Sequence, residues 1–315
     1  TTEIYTLSLH DALPIFGSTP MIRLRRIEQN LRVPANLFAK VEAFNPGGSI
    51  KDRIALAMIE AQERRGKLAP GATIIEPSSG NTGIGLAMVG AIKGYRVVIV
   101  MSDTASVERR KILELYGARV ILSDGAKGIQ EAIRIAKELA RNTPGSFMPM
   151  QFANSANPRI HYRTTAREIW KQMDGRLDVF VAGIGTGGTI SGVGRYLREH
   201  LPSVQIIGLE PADSPVLTKG CKGSHKIQGI GAGFIPKTLN QAIYDEIITV
   251  TNAQAYAHAR LLARHEGILA GISAGAALYG ALAVGTRGGS ASQNIVMVLP
   301  DTGERYLSTD LAKFD

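Results

Sequence analysis

Asn45-Pro46-Gly47-Gly48-Ser49-Ile50-Lys51-Asp52-Arg53 is a glycine-rich turn that runs straight into a charged helix start. From Lys51 to Arg65, Ile54, Met58 and Ile59 share one helical face and charges take the other, until Gly66 supplies a stop signal. Lys51 therefore opens a helix. Beyond it, short β-branched runs alternate with segments of helical period. Thr73-Ile74-Ile75 and Arg96-Val97-Val98-Ile99-Val100 belong to a first block. A second runs from Val179-Phe180-Val181 through a helix near Thr189 to Arg198, then Val204-Gln205-Ile206-Ile207, and closes with the strand Asn294 to Leu299. This alternation predicts an α/β fold of open, mostly parallel twisted sheets flanked by helices. Turn residues in Asn142-Thr143-Pro144-Gly145-Ser146 place a boundary near residue 150, giving one α/β domain over 17–150 and another over 151–315.

The 315 residues suffice for two such domains, since domains usually run about 100 to 200 residues. A single cysteine, Cys221, excludes an intrachain disulfide and a cysteine-based metal cluster, and suits a reducing cytoplasm. No apolar run approaches the roughly 18 residues that would span a bilayer. Thr1 to Phe16 lacks the basic start of a signal peptide, so a soluble, unexported protein is expected. The net charge of +9 is not massed on one element. Arg25-Arg26, Arg64-Arg65 and Arg109-Arg110 lie beside Glu28, Glu63 and Glu108, as on solvated helix faces, and neither nucleic acid nor membrane is an expected partner.

Two loops suit anions. Gly183-Ile184-Gly185-Thr186-Gly187-Gly188 follows a strand and precedes a helix, where backbone N–H groups and the hydroxyls of Thr186 and Thr189 can wrap a single phosphate. The same string satisfies G-x-G-x-x-G, and Glu210 ends the next strand as a ribose-binding acid would, so a nicotinamide-dependent dehydrogenase is the competing reading. Pro77-Ser78-Ser79-Gly80-Asn81-Thr82-Gly83 follows the strand Thr73 to Glu76 and leads another helix. Its amides and hydroxyls suit an amino-acid carboxylate, and Asn81 can both donate and accept. Gly271-Ile272-Ser273-Ala274-Gly275 matches the G-x-S-x-G elbow of hydrolases, but those need a histidine after the serine, and the last one here, His265, precedes it. A lone lysine is ordinarily a surface residue. Lys51 stands out because a glycine turn, a helix start and separate phosphate and carboxylate loops accompany it, the set that pyridoxal 5′-phosphate chemistry needs.

Together Asn45 to Arg53, Ser79-Gly80-Asn81-Thr82-Gly83, Gly185 to Thr189 and Gly271-Ile272-Ser273 resemble the cysteine synthases, or O-acetylserine sulfhydrylases, of the fold type II pyridoxal phosphate family. The resemblance covers roughly residues 17 to 310, and His225 to Pro236 is most similar to the A-type enzymes. It implies two α/β domains with the active site in the cleft between them. It also implies Lys51 as the catalytic, Schiff-base lysine and Asn81 beside the cofactor's ring hydroxyl. Gly185, Thr186, Gly187, Gly188 and Thr189 would bind the phosphate, and Ser273 would face the pyridine nitrogen. Ser78, Ser79, Asn81, Thr82 and Gln151 would receive the substrate carboxylate, Gln228 to Ala232 would line the mouth, and no metal is involved.

The implied reaction replaces the acetate of O-acetyl-L-serine with sulfide through an aminoacrylate, giving L-cysteine in the last step of its biosynthesis. The implied setting is a cytoplasmic homodimer that could also bind the C-terminal tail of serine acetyltransferase. Enzymes like cystathionine β-synthase, or ones using O-phosphoserine, are the alternatives. Residues 1–16 depart from the pattern, and Thr6 to Ile15 resembles a translated sequencing adapter.

Overall fold

A computed structural model describes residues 15–313, so the atypical opening expected over residues 1–16 lies outside the described residues but for Ile15 and Phe16. The first elements are β1 (Met21–Arg23), α1 (Arg25–Asn30), β2 (Asn36–Val41), α2 (Lys51–Glu63), β3 (Thr73–Pro77), α3 (Asn81–Lys93) and β4 (Arg96–Ser102). Next come α4 (Val107–Leu115), β5 (Arg119–Ser123), α5 (Ile129–Arg141), α6 (Ala156–Arg163), α7 (Thr165–Gln172), β6 (Val179–Gly183) and α8 (Gly188–His200). The last are β7 (Gln205–Pro211), α9 (Val216–Lys219), β8 (Glu246–Val250), α10 (Asn252–Glu266), α11 (Ile272–Gly285) and β9 (Asn294–Leu299). The segments read as strands and helices form them. α2 stops two residues short of Arg65, where the chain turns towards the left-handed Gly66 (φ +64).

Among the described residues the strands form two sheets, one in the order β1-β2-β9-β6-β7-β8 and one in the order β3-β4-β5. All neighbours are parallel except β1 against β2. The expected α/β architecture of parallel sheets flanked by helices is what the chain adopts. Val179, Phe180 and Val181 of β6 and Ile295 to Leu299 of β9 are buried, because strands covered on both faces read as unbroken apolar runs. α11 is buried on nearly every side, packed against α10 and β9, and its small residues let Leu209 of β7 approach Gly280 closely.

The boundary expected near residue 150 does not coincide with the division between the sheets. β2 pairs with β9 along its whole length, Asn36 with Asn294 through Val41 with Leu299. An apolar strand gains cover on both faces in the middle of the large sheet, a pairing that the turn residues at 142–146 do not reveal. α2, by contrast, packs Ile54, Met58 and Ile59 against Ile84 and Leu86 of α3 and Ile99 of β4. The turn from Asn45 to Ile50 is therefore where the chain crosses from one sheet's territory to the other's, and Lys51 stands at the crossing.

Buried charge fixes α2 in place. The Arg53 guanidinium donates from Nε to Glu42 at 2.7 Å and from Nη1 to Glu168 at 2.6 Å, and Lys40 lies 2.8 Å from Glu168. Burial would push the Glu168 carboxyl up, but Arg53 and then Lys40 hold it down at about 2. Arg53→Met removes the cation and leaves Glu42 buried without it. The expected loss is about 3–5 kcal/mol of stability, read as a lower urea midpoint, and a loss below about 1 kcal/mol would show that the network does not anchor α2.

Candidate active site

Parallel strands put their C-terminal ends, and the N-termini of the helices that follow, along one edge of a sheet. Here those edges enclose a cleft of about 730 Å³ whose walls include Lys51, Ser78, Ser79, Asn81, Thr82, Gln151, Gly185 and Thr186. The predicted site residues Gly187, Gly188, Thr189 and Ser273 are not on its surface. Ser273 is buried beneath Gly229, where an added Cβ would lie 3.4 Å from its hydroxyl.

The turn before Lys51 is held by polar contacts at several points. Gly47 N–H donates to Asp52 at 2.7 Å, Ile50 N–H to the Pro300 carbonyl at 2.9 Å, and Lys51 N–H to Ser49 Oγ at 3.2 Å. Gly48 sits at φ +74, and a side chain there would strike Arg305. The Lys51 amine donates to no group among the described residues. Burial lowers its proton affinity, outweighing the opposing charges of Asp301 and Glu42.

In the loop after β3, Ser78 Oγ accepts from the N–H groups of Gly80 at 3.3 Å and Gly83 at 3.1 Å, a local cap for α3. Ser79 Oγ accepts from Ser102 N–H at 2.8 Å. Thr82 donates to Gln151 Oε1 at 2.6 Å, so two residues expected on one carboxylate face each other. Asn81 donates to Asp301 at 2.6 Å and accepts from Arg305 at 2.6 Å.

The loop after β6 fits a phosphate. The N–H groups of Gly185, Thr186, Gly187 and Thr189 donate to nothing within the described residues, and they gather at the positive end of α8. Side chains at Gly185 and Gly188 would run into the Gly229 carbonyl and Asn157, so only glycine permits this close turn. Asn157 braces the loop by donating to Thr186 Oγ1 and to the Gln151 carbonyl, both at 3.0 Å. Glu210 serves otherwise than a ribose-binding acid would. It is buried and accepts from Leu217 N–H at 2.8 Å and from Thr218 N–H at 3.0 Å, capping α9. Among the described residues no His, Cys, Asp and Glu cluster could hold a metal, and no helix is long and apolar enough to cross a membrane.

Several residues at the site went unnoticed in the sequence. Asp301 and Arg305 hold Asn81, and Arg109, expected on a solvated helix face, is instead buried on the cleft wall with its guanidinium carbon 4.7 Å from the centre of the Tyr306 ring. Their one sequence signal is position, since Asp301 follows the C-terminal end of an apolar strand. Glu76, also at a strand end, is buried and accepts from Met150 N–H at 2.8 Å and Gln151 N–H at 2.9 Å.

Burial pushes Glu76 from 4.5 up to about 7, against those two donors. Between these values the folded chain keeps a proton that the unfolded chain has lost, so stability falls as pH rises through the window. Glu76→Gln cannot ionise. Its melting temperature, followed from pH 4.5 to about 7, should change less than that of the parent, and an equal slope would refute a titrating Glu76.

A model of the family described as "Pyridoxal-phosphate dependent enzyme" matches residues 12–301. A curated cysteine synthase of Staphylococcus aureus (strain Mu50 / ATCC 700699) is 52% identical over 302 residues, which cover 96% of each chain. The crystal structure of a cysteine synthase (OASS) from Entamoeba histolytica has a TM-score of 0.93 at 40% identity and covers 97% of this chain and 91% of its own. That of an O-ureido-L-serine synthase has a TM-score of 0.91 at 46% identity, over 95% and 94%. Open donors at the phosphate loop, a buried lysine amine facing the same cleft and matches of this extent agree, and the chain belongs to the pyridoxal-phosphate dependent enzyme family.

Proposed function

We propose that this chain is a cysteine synthase that replaces the acetate of O-acetyl-L-serine with sulfide. The observation that carries the reading is the Lys51 side chain, unpartnered among the described residues, in one cleft with an open phosphate loop and a hydroxyl-rich loop suited to a carboxylate. In this reading Lys51 is the attachment point of the cofactor, and Asn81 faces its ring oxygen. Gly185, Thr186, Gly187, Gly188 and Thr189 hold its phosphate, and Ser273 faces its ring nitrogen. Ser78, Ser79, Asn81, Thr82 and Gln151 receive the substrate carboxylate, for which the Thr82 hydroxyl would turn away from Gln151.

When bound, pyridoxal 5′-phosphate supplies an electron sink for charge developing at the substrate's Cα. The Lys51 amine, its proton affinity lowered by its surroundings, takes the proton from Cα as acetate leaves Cβ. It returns that proton after sulfide has joined Cβ, so one side chain serves as base and then as acid. Ser273, buried beneath Gly229, would offer the ring nitrogen a hydroxyl rather than a carboxylate. A hydroxyl there would leave the nitrogen largely unprotonated, which would disfavour transamination and leave loss of the β-substituent as the easier course. Acetate departs before sulfide enters, so kinetics are ping-pong.

Resemblance to the cysteine synthases supports a cytoplasmic homodimer and a cleft able to take the C-terminal tail of serine acetyltransferase. The O-ureido-L-serine synthase neighbour supports a second reading, in which the same cleft serves another β-replacement.

Borohydride reduction of the coloured protein should leave the pyridoxyl group on Lys51, and the protein should form cysteine from O-acetylserine and sulfide faster than product from O-phosphoserine or homocysteine. A label on another lysine would overturn the site, and a faster rate with either competitor would overturn the substrate. Ser273→Asp should keep the cofactor, read by its visible absorbance, yet lose about tenfold or more in kcat, equivalent to about 1.4 kcal/mol of barrier. Unchanged kcat with bound cofactor would sink the account of the ring nitrogen.

A further inference from the structure

Asp301 and Arg305 follow β9, outside the loops that make the anion sites, yet both end on Asn81. Asn81 Oδ1 accepts from Arg305 Nη1 at 2.6 Å, and its Nδ2 donates to Asp301 Oδ2 at 2.6 Å. A flipped amide would set its N–H groups against a guanidinium and its oxygen against a carboxylate, so the two charges fix its orientation. The second N–H of Asn81 has no partner among the described residues, and Asn81 lines the cleft. The carboxylate is held in turn, since the buried Tyr306 hydroxyl donates to Asp301 Oδ2 at 2.5 Å and a side chain at Gly271 would collide with Oδ1.

Arg305 reaches a second target. Its Nη2 donates to the carbonyl of Gly47, whose N–H is held by Asp52 at 2.7 Å, so the peptide groups flanking Gly47 in the turn before Lys51 are gripped on both sides. Ser106 donates to the Arg305 carbonyl at 3.1 Å and anchors the arginine from the loop before α4. The arginine is buried, and its Nε has no partner. A buried guanidinium spanning the first residue of α3 and the turn into α2 sets the distance between Asn81 and Lys51.

We infer that Asp301 and Arg305 are positioning residues that present an N–H of Asn81, and not its carbonyl, to the cofactor ring while holding the Lys51 turn in register with it. The inference rests on the reading of Lys51 and Asn81 given under Proposed function. Neither residue touches the reacting atoms. Both act through Asn81 and the turn.

The test is a double-variant cycle on the purified enzyme, with Asn81→Ala, Arg305→Gln and the pair, read as the dissociation constant of pyridoxal 5′-phosphate and the visible circular dichroism of the bound cofactor. Arg305→Gln should weaken cofactor binding about tenfold or more, as loss of a charge-assisted hydrogen bond does, and shift the dichroic band. In the Asn81→Ala background the same change should cost less than it does in the parent, because one of the two targets of Arg305 is already gone and only the Gly47 carbonyl remains. Arg305→Lys, which keeps the charge but reaches fewer acceptors, should restore part of the binding.

Equal effects in both backgrounds, or a parent-like dichroic band in folded Arg305→Gln, would overturn the inference. Should Arg305→Gln fail to fold, the cycle is run with Arg305→Lys and read the same way. The borohydride label separates the two levels. A label off Lys51 removes the parent reading, whereas a label on Lys51 with additive effects removes only the positioning role.

Discussion

Taking a lysine amine out of water lowers its proton affinity, and the Lys51 amine lies where burial outweighs the charges of Asp301 and Glu42. Such a site is costly unless neighbouring polar groups are satisfied elsewhere. The chain meets that condition by giving nearby groups partners of their own. Asp52 takes the Gly47 N–H, Glu42 is matched by Arg53, and Asp301 is occupied by Asn81 and Tyr306. The Lys51 amine has no hydrogen-bond partner among the described residues, and it shares its cleft with the N–H groups that open α8.

Those donors carry no net charge. α3 and α8 both begin at the cleft, and each offers backbone N–H groups at the positive end of a helix dipole. An anion can be held this way without a fixed cation beside the lysine, whose proton affinity a nearby cation would depress further. The parallel sheets make the arrangement possible, because they deliver successive helix starts to the same edge.

The turn before Lys51 and the loops after β3 and β6 were legible in the sequence as helix starts, because each is a local device, a few consecutive residues rich in glycines and hydroxyls. Strands β3, β4, β6, β7 and β9 were legible for the same reason, as apolar runs, whereas β1, β2, β5 and β8 were not picked out. Sheet membership was not. Nothing within Asn36 to Val41 says that its partner is Asn294 to Leu299, since many apolar strands of that length would suit. The Asn81, Asp301 and Arg305 cluster was equally hidden, with partners 220 and 224 residues apart. Glu210 misled for the opposite reason. Its place at a strand end fits a ribose, but the short helix that follows needed a cap.

The pairing of β2 with β9 also bears on how the protein is made. Asn36 and Asn294 are 258 positions apart, an interval that a ribosome adding about 5–20 residues per second takes roughly 13 to 50 seconds to cross. For that time β2 has only the three-residue β1 beside it in the sheet, and the Lys51 turn lacks Pro300 and Arg305 to lean on. The nascent chain carries an open apolar edge from its first strands onward. The cleft can receive a cofactor only when synthesis is nearly complete.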